Sequence, residues 1–433
     1  MWGTSDRTSP HVAEVFFEGN EDRMSIESLK CKECGSPAEL GANYVCENCF
    51  GPLEVAYDYS GLDAAEVKRR IQAGSQGIWR YADFLPFEGR PNDPLEPGLT
   101  PLVRADRLAE RLGTEAEIWI KNDAANPTHS FKDRVVAVAV AKAQELGFST
   151  VACASTGNLA NAVAAHAAAA GLDSYVFVPA NLEEQKLLAT GVYGTNLVGV
   201  RGNYDDVNRL CTQLAETHPW AFVNVNLRPY YAEGSKTLAY ETAEQLGWSL
   251  PDRVVAPIAS GSLFTKLGRG FQDWLDLGLV SGSLPVFNGA QAEGCSPVAT
   301  AFAEGWDVCK PQRPDTIAKS LAIGDPADGP YAVEHARKTG GAIDSVSDAE
   351  IRSAIKLLAE TTGIFTETAG GVTVGVLRKL AERGDLGAGE RIVVYITGEG
   401  LKTLDATRDT FQMHEIDPHL DSFEAEFRQE VAA

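Results

Sequence analysis

The sequence predicts an α/β protein with two doubly wound parallel-sheet domains and a small N-terminal zinc ribbon. Three observations carry this prediction. Short apolar strands alternate with helices from about residue 117 onward, small Gly/Ser loops follow several of those strands, and two Cys-x2-Cys pairs lie near the N-terminus. Alternation of this kind produces right-handed βαβ crossovers and parallel sheets that are covered on both faces.

The length and composition are typical of a globular enzyme. The chain has 433 residues, 44% of them hydrophobic, which is enough for two large domains. A formal net charge of −22 argues against a general nucleic-acid-binding surface, which needs many Lys or Arg contacts to phosphate. Residues 1–25 lack a signal-peptide pattern, and no run of about 18 apolar residues occurs. We therefore expect a soluble, cytoplasmic protein with no nucleic-acid or membrane partner.

Four cysteines near the N-terminus have the spacing of a metal site. Cys31 and Cys34 form one Cys-x2-Cys pair, and Cys46 and Cys49 form a second one after eleven intervening residues. Two such pairs supply four thiolates for a closed, structural zinc site. Bound iron, or four reduced thiols without metal, is the alternative.

The first α/β unit follows a polar helix and a connector rich in proline and glycine. The predicted elements are a helix at 64–71, the connector at 86–101, a strand at 118–121, a helix reaching 146, and then strands at 151–154, 174–178, 197–200 and 221–224 separated by helices at 159–170, 183–189 and 204–217. The strands are short and apolar, as expected for a buried parallel sheet.

A second α/β unit begins with a helix at about residue 236. Its predicted elements are helices at 236–246, 263–275, 348–361 and 371–381, strands at 253–258, 285–290 and 391–396, and a charged helical tail beyond residue 404. In such doubly wound sheets, ligands bind beyond the carboxyl ends of the strands.

Lys132 lies where one of these helices is predicted to begin. Asn126 and Pro127 favour a turn, and Ser130 and Asp133 have the spacing of a capping box. If Ser130 caps the helix, Lys132 lies in the first turn, where unsatisfied N–H groups and the helix dipole disfavour an ammonium ion. The free amine could condense with an aldehyde. A surface lysine in an ordinary first turn is the alternative.

Three small-residue loops follow predicted strands, at 155–158, 260–262 and 397–400. Backbone N–H groups in such a loop bind phosphate without formal charge when a helix begins there. Each loop alone could be an ordinary turn or helix cap. Together with a first-turn lysine, the loops predict an anion-binding site at the edge of the sheets.

Five segments together resemble the ordered motifs of the threonine synthase family of fold-type II pyridoxal-phosphate enzymes. They are NPTHSFKDR at 126–134, ASTGN at 154–158, NLRPYYAEGSKT at 226–237, ASGSL at 259–263 and TGEGLK at 397–402. The resemblance implies a cofactor cleft between a large domain of residues 95–134 and 225–410 and a small domain of residues 135–224. The ribbon, residues 28–52, occurs in some members, and residues 411–433 would form a C-terminal tail.

The resemblance also implies a role for individual residues. Lys132 would hold pyridoxal 5'-phosphate covalently and later move protons. The residues implied to hold the rest of the cofactor are Asn158 at its 3-oxygen, Thr397 at its pyridine nitrogen, and Ser260, Gly261, Ser262 and Leu263 at its phosphate. The residues implied for the substrate are Ser155, Thr156 and Gly157 at its α-carboxylate, with Lys186, Arg228 and Lys236 as candidates for its phosphate.

The family reaction converts O-phospho-L-homoserine and water to L-threonine and phosphate, and the family resemblance implies a homodimer. Phosphate leaves from Cγ and water adds at Cβ, with repeated proton transfer in a largely dry site. One alternative is an enzyme on the same scaffold that acts on another activated amino acid, such as O-phosphoserine in a reaction like cysteate synthesis. A catalytically silent sensor that binds a partner through the ribbon is the second alternative.

Overall fold

A small antiparallel ribbon precedes two parallel-sheet units. The structure is a computed structural model and describes residues 25–427 except Glu88, Thr156, Glu183, Asn203 and Asp409. The predicted contacts of Thr156 therefore lie outside the described residues.

The N-terminal part contains the predicted ribbon. It consists of β1 (Ser25–Cys31), β2 (Pro37–Ala38) and β3 (Leu53–Asp58), which form an antiparallel sheet in the order β2-β1-β3, and is followed by α1 (Ala64–Ala73). The side chain of Asp63 caps α1 by accepting a hydrogen bond from the Glu66 N–H. A 3-10 segment follows at Ile78–Phe84, and the described residues of the predicted connector at 86–101 contain no helix or strand.

The chain next forms part of the large sheet and then all of the small one. The elements are β4 (Leu102–Arg104), α2 (Asp106–Leu112), β5 (Glu117–Asn122), α3 (Lys132–Glu145), β6 (Thr150–Ala154), α4 (Asn158–Ala170), β7 (Asp173–Pro179), α5 (Glu184–Gly191), β8 (Asn196–Val200), α6 (Tyr204–Thr217) and β9 (Ala221–Phe222). Strands β6 to β9 form a four-stranded parallel sheet in the order β8-β7-β6-β9.

The remaining elements complete the large sheet. They are α7 (Arg228–Glu233), α8 (Lys236–Gln245), β10 (Arg253–Pro257), α9 (Ser262–Asp276), β11 (Val286–Ala292), α10 (Pro297–Ala303), α11 (Gly329–Lys338), β12 (Ile343–Val346), α12 (Asp348–Thr362), α13 (Thr368–Glu382), β13 (Arg391–Ile396) and α14 (Leu420–Phe427). The six-stranded order is β12-β11-β10-β13-β5-β4, and its pairs are parallel except for β4 with β5.

Strand β13 lies inside the large sheet and is buried on both faces. Val393 and Tyr395 pack into the apolar cluster on one face, whereas Ile392, Val394 and Ile396 pack into the cluster on the other. Successive side chains of a strand point to opposite faces, so helices must cover both sides. The 397–400 loop follows the carboxyl end of β13, so it lies near the middle of the edge where the parallel strands end.

The predicted α/β class with parallel sheets is confirmed. The predicted strands and helices are present, and nearly all of their ends lie within a few residues of the predicted ends. The prediction missed β4, α2, α7, α10, α11 and β12, all of which have ten residues or fewer. The tail is helical at α14, where no side chain is buried. In the described part of the chain, no helix is both long and apolar enough to cross a membrane.

Candidate active site

Lys132 is the first residue of α3, and the residues before it are held to the end of β13. The backbone of Ser130 pairs with that of Gly398, and the N–H of Phe131 donates to the carbonyl of Thr397 at 3.0 Å. The first turn of α3 thus has a fixed position beside the 397–400 loop. The predicted first-turn location of Lys132 is confirmed.

The predicted capping box is wrong. Ser130 is fully buried, and among the described residues its Oγ has no hydrogen-bond partner. The buried Asp133 carboxylate instead accepts hydrogen bonds from the N–H and hydroxyl of Thr128, at 2.9 and 2.8 Å. His166 of α4 lies 3.1 Å from the same carboxylate. Asp133 therefore fixes the turn before Lys132 and joins it to α4, and does not serve as the N3 residue of a cap.

The amine of Lys132 lies between two aromatic rings. Its Nζ donates a hydrogen bond to the Tyr231 hydroxyl at 2.9 Å and lies 4.5 Å from the centroid of the Phe131 ring. Tyr231 belongs to α7, so this contact brings a third element to the amine.

Asn158 reaches the same place from the start of α4. Its Nδ2 lies 3.0 Å from each carboxylate oxygen of Glu367, and the N–H of Glu367 donates to the carbonyl of Gly398. Glu367 is 3% exposed, and burial raises the pKa of its carboxyl against the opposing effects of Asn158, Lys402 and Lys132. Lys132, Asn158 and the 397–400 loop are therefore brought together around one buried carboxyl.

The 155–158 loop connects β6 to α4. The Ser155 Oγ accepts hydrogen bonds from the N–H groups of Gly157 and Ala160, at 3.4 and 3.2 Å. Gly157 is the N-cap residue of α4 and provides no side-chain cap among the described residues. Ser155 thus takes one first-turn N–H of α4, that of Ala160, and the positive dipole end of the helix still favours a carboxylate.

The 260–263 loop leads into the long helix α9. Gly261 has φ of 98°, and a Cβ built on it would lie 2.6 Å from the carbonyl oxygen of Asp328. The N–H of Asp328 donates a hydrogen bond to the carbonyl of Ser260 at 2.8 Å. A side chain at position 261 would thus be strained and crowded. The Ser260 Oγ accepts a hydrogen bond from the N–H of Ser262 at 3.5 Å. The tight loop and the positive dipole end of α9 fit a phosphate group.

Arg228 lies beside this loop, because its guanidinium forms an ion pair with Asp328 at 2.9 Å. The Arg228 side chain is about one-third exposed, at 32%, so part of it can reach a ligand. Lys186 is half-buried in α5, which packs on α4. The structure thus places Arg228 next to the predicted cofactor-phosphate loop and Lys186 on the small sheet unit.

Lys236 does not join these residues. Its ammonium is 1% exposed, lies 2.7 Å from Glu233 and 3.2 Å from Asp273, and stands 4.3 Å above the ring of Tyr57 in β3. Burial acts to lower the pKa of Lys236, but Asp273 and Glu233 outweigh it and raise this pKa. Its buried charge is already compensated, and it holds the ribbon, α7 and α9 together instead of lining the site.

Two residues at the site, Tyr231 and Lys402, have no individual role predicted from the sequence, and Glu367 joins them there. Tyr231 contacts Lys132, Glu367 contacts Asn158, and Lys402 has its pKa lowered by burial while Glu367 and Asp133 oppose that effect. Tyr231 and Lys402 lie within the recognised motifs, three residues after Arg228 and five after Thr397. For Glu367, in the loop before Gly370, the sequence predicts either a place beside the cofactor ring or a helix-entry role, and the structure has it as the N-cap residue of α13 in contact with Asn158.

A fully buried ion cluster supports the site from behind. Arg134 donates to Asp123 at 2.7 Å and to Glu241 at 2.5 Å, and Lys121 donates to Glu241 at 2.8 Å. Burial alone would raise the pKa of Glu241, but Arg134 and Lys121 lower it to about 2. Because Arg134 lies two residues after Lys132, this cluster fixes the start of α3 to α8 and β5.

The four ribbon cysteines converge as predicted. Their ligand atoms lie within 4.8 Å of one another, with Cys31 Sγ 3.4 Å from Cys49 Sγ and Cys34 Sγ 3.6 Å from Cys46 Sγ. Four thiolates about 2.3 Å from one zinc ion stand roughly 3.8 Å apart in a tetrahedron. The donor set and its dimensions therefore fit zinc.

Comparison with known sequences identifies relatives over most of the chain. Residues 94–398 match the family described as pyridoxal-phosphate dependent enzyme. A threonine synthase from Methanosarcina acetivorans is 39% identical over 379 residues, which cover 86% of this chain and 92% of that relative. A threonine synthase from Methanocaldococcus jannaschii is 37% identical over 381 residues, covering 87% and 93%.

Solved structures show the same fold at lower identity. The processed form of threonine deaminase isoform 2 from Solanum lycopersicum superposes with a TM-score of 0.60 and 20% identity, covering 78% of this chain and 84% of that one. Maize serine racemase superposes with a TM-score of 0.60 and 16% identity, covering 84% and 98%. At these identities the likeness concerns the fold alone.

Proposed function

Because the chain belongs to the threonine synthase family of pyridoxal-phosphate-dependent enzymes, we propose that it converts O-phospho-L-homoserine and water to L-threonine and phosphate. The observation that carries the proposal is the meeting of Lys132, the Asn158–Glu367 pair and the 397–400 loop at the carboxyl ends of β6 and β13. These are the places where ligands bind in doubly wound sheets.

The arrangement of the described residues supports a defined set of contacts for the cofactor. Lys132 would supply the amine for its aldehyde, Asn158 and Thr397 would face its ring, and the backbone of residues 260–263 would hold its phosphate. When bound, pyridoxal 5'-phosphate supplies the electron sink that makes protons next to the amino-acid nitrogen removable. The tight Gly261 turn and the positive dipole end of α9 are the features that fit its phosphate group.

Residues of the protein would determine which bonds of the substrate break. The Lys132 amine would take protons from Cα and Cβ of the substrate and return them as phosphate leaves and water adds. The 155–157 segment, at the start of α4, would hold the α-carboxylate. Arg228 is our candidate for binding the leaving phosphate, and Lys186 would have to approach from the small sheet unit.

The test is phosphate release by purified, cofactor-loaded protein. We expect phosphate and threonine in equal amounts from O-phosphohomoserine, and neither product with the Lys132→Ala variant. Phosphate release from O-phosphoserine but not from O-phosphohomoserine would assign the chain to another activated amino acid. Protein that binds the cofactor but acts on neither substrate would contradict the proposed reaction.

We further propose that the four ribbon thiolates bind a structural zinc ion, since their spacing fits a tetrahedral site. The proposed ribbon comprises residues 28–52, the proposed large domain residues 95–134 and 225–410, and the proposed small domain residues 135–224. Homodimerisation, which the family resemblance implies, and a cytoplasmic location are further proposals. Light scattering of the purified protein tests the first of these two, and cell fractionation tests the second.

A further inference from the structure

Helix α7 lies between the ribbon and Lys132, and its side chains divide between the two. The Tyr230 hydroxyl donates to the carbonyl of Gly41 at 3.0 Å and accepts from the N–H of Gly41 at 3.0 Å. Glu233 accepts a hydrogen bond from the hydroxyl of Tyr57 in β3 at 2.7 Å. This face of the helix is held by Gly41 and by β3.

The other face of α7 is turned toward the proposed site. Arg228 and Tyr231 are three residues apart and therefore neighbours on one side of the helix. Arg228 pairs with Asp328 beside the 260–263 loop, and the Tyr231 hydroxyl accepts a hydrogen bond from Lys132 Nζ at 2.9 Å. The two adjacent tyrosines thus bind different parts of the protein: the Tyr230 hydroxyl binds the backbone of Gly41, and the Tyr231 hydroxyl binds Lys132.

We propose that Tyr231 is a second catalytic residue, which holds the Lys132 amine once substrate has freed it and passes protons between that amine and water in the cleft. The proposal rests on the proposed function, because it needs a lysine that alternates between a cofactor-bound and a free form. In the relay, the Lys132 ammonium gives a proton to the phenolic oxygen as the phenol gives its own proton to water. One N–H and one O–H bond break, two O–H bonds form, one on the phenol and one on the water that takes the positive charge, and Tyr231 ends neutral.

The groups around the Lys132 amine leave the Tyr231 hydroxyl as the one suited to exchange protons with it. The ring of Phe131 lies 4.5 Å from Nζ and offers no proton donor or acceptor. The charged groups in this region are Glu367, the N-cap residue of α13, with Lys402, Glu399 and Asp133, and the Arg228–Asp328 pair. The Glu367 carboxyl accepts its hydrogen bonds from Asn158. A phenol can accept from an ammonium and donate to a free amine, so it serves both states of Lys132.

The variant Tyr231→Phe removes this hydroxyl and keeps the ring, and Tyr230→Phe is its matched control. For the holoenzyme with Tyr231→Phe, we expect kcat to fall by about 10²-fold, the size of a typical acid–base contribution. KM should change little, and the pH–rate profile should lose or shift one limb. Tyr230→Phe should keep kcat and the pH profile. Wild-type kcat and pH profile in Tyr231→Phe would overturn the proposal.

A second measurement does not depend on turnover. In cofactor-free protein at a fixed pH, the rate of acetylation of Lys132 by acetic anhydride, followed by peptide mass spectrometry, reports how the amine is held. We expect Tyr231→Phe to change this rate several-fold and Tyr230→Phe to leave it unchanged. Equal rates in wild type and Tyr231→Phe would overturn the role of Tyr231. No phosphate release by the wild type would instead overturn the proposed function.

Discussion

Nδ2 of Asn158 lies 3.0 Å from both carboxylate oxygens of Glu367, although 209 positions separate the two residues in sequence. The pair joins the first residue of α4 to the N-cap residue of α13. Since Asn158 has a second N–H for a ligand, the carboxylate orients the amide as well as connecting two helices.

This relationship predicts separate effects on folding and on cofactor binding. We expect Asn158→Ala to weaken cofactor binding about tenfold, the value of roughly one hydrogen bond. It should also lower the free energy of unfolding by about 1–3 kcal/mol, because a buried carboxyl is left without its partner. Absorbance titration with pyridoxal 5'-phosphate and urea unfolding of the cofactor-free protein measure the two effects.

The double variant Asn158→Ala/Glu367→Gln separates them. Burial raises the pKa of Glu367, so the uncharged amide avoids the cost of burying a carboxylate at neutral pH. The second change should therefore restore part of the stability and none of the cofactor affinity. Asn208→Ala, in α6 of the small sheet unit, is the control and should keep wild-type affinity. Wild-type affinity in the double variant would contradict a cofactor role for Asn158.

The fold could be predicted from the sequence because its signals are local. A run such as Val151 to Ala154 followed by small residues and an alanine-rich helix specifies strand, loop and helix within twenty residues. The same loops locate the site, because the carboxyl ends of parallel strands share an edge. This rule brings the 155–158 and 397–400 loops to the site, whereas the roles of Lys132 and Asn158 follow from the resemblance to the family.

Side-chain partners from distant segments could not be predicted. Lys236 lies in a recognised motif, but its ammonium forms ion pairs with Glu233 and with Asp273 of α9. The spacing of Ser130 and Asp133 fits a capping box, yet the Asp133 carboxylate forms its hydrogen bonds with Thr128 and His166. Spacing defines which groups could meet locally, whereas burial and tertiary packing decide which partner each charge receives.

His166 predicts a pH dependence of folding. Burial opposes its protonation, but hydrogen bonds to Asp133 and Asp93 outweigh this and raise the pKa of His166 to about 9. A pKa above the unfolded value of about 6.5 stabilises the fold fully below pH 6.5 and loses that effect as pH rises through 9. We expect His166→Asn to destabilise the protein by roughly 3 kcal/mol at pH 6.5 and by much less at pH 10.

Urea unfolding of both proteins across this pH range provides the measurement. The exposed His218, replaced by asparagine, is the control, and its difference from wild type should be small at every pH. A stability difference for His166→Asn that does not shrink between pH 6.5 and pH 10 would show that the imidazole is not held as a cation.

The ribbon predicts a metal-dependent stability. Cys34 is exposed, so Cys34→Ser removes a ligand with little loss of packing. We expect wild type to hold about one zinc ion per chain, and Cys34→Ser to lose it with a lower Tm, because metal binding contributes folding free energy. Elemental analysis and thermal unfolding measure these changes.

A chelator should lower the Tm of the wild type toward that of Cys34→Ser and leave the variant unchanged. Cys309→Ser, outside the ribbon and partly buried, should retain both the metal and the response to chelator. A wild-type Tm that is insensitive to prolonged chelation would argue for four reduced thiols without metal.

Gly261 and Gly282 test the phosphate loop with the same substitution. Both have left-handed backbones, with φ of 98° and 111°, so alanine costs about 1–2 kcal/mol of backbone strain at either one. At Gly282 no described atom would lie within 4 Å of the new Cβ, whereas at Gly261 the Cβ would meet the Asp328 carbonyl at 2.6 Å. Alanine at position 261 must therefore displace the loop as well.

We expect Gly261→Ala to weaken pyridoxal 5'-phosphate binding at least tenfold, and Gly282→Ala to leave it unchanged while losing similar stability from strain. Absorbance titration gives the affinities, and inorganic phosphate as competitor shows whether the lost contact is to the phosphate group. If Gly261→Ala lost stability but bound the cofactor normally, the phosphate would have to be held elsewhere. The pairing of Asp328 with Ser260 and Arg228 would then be purely structural.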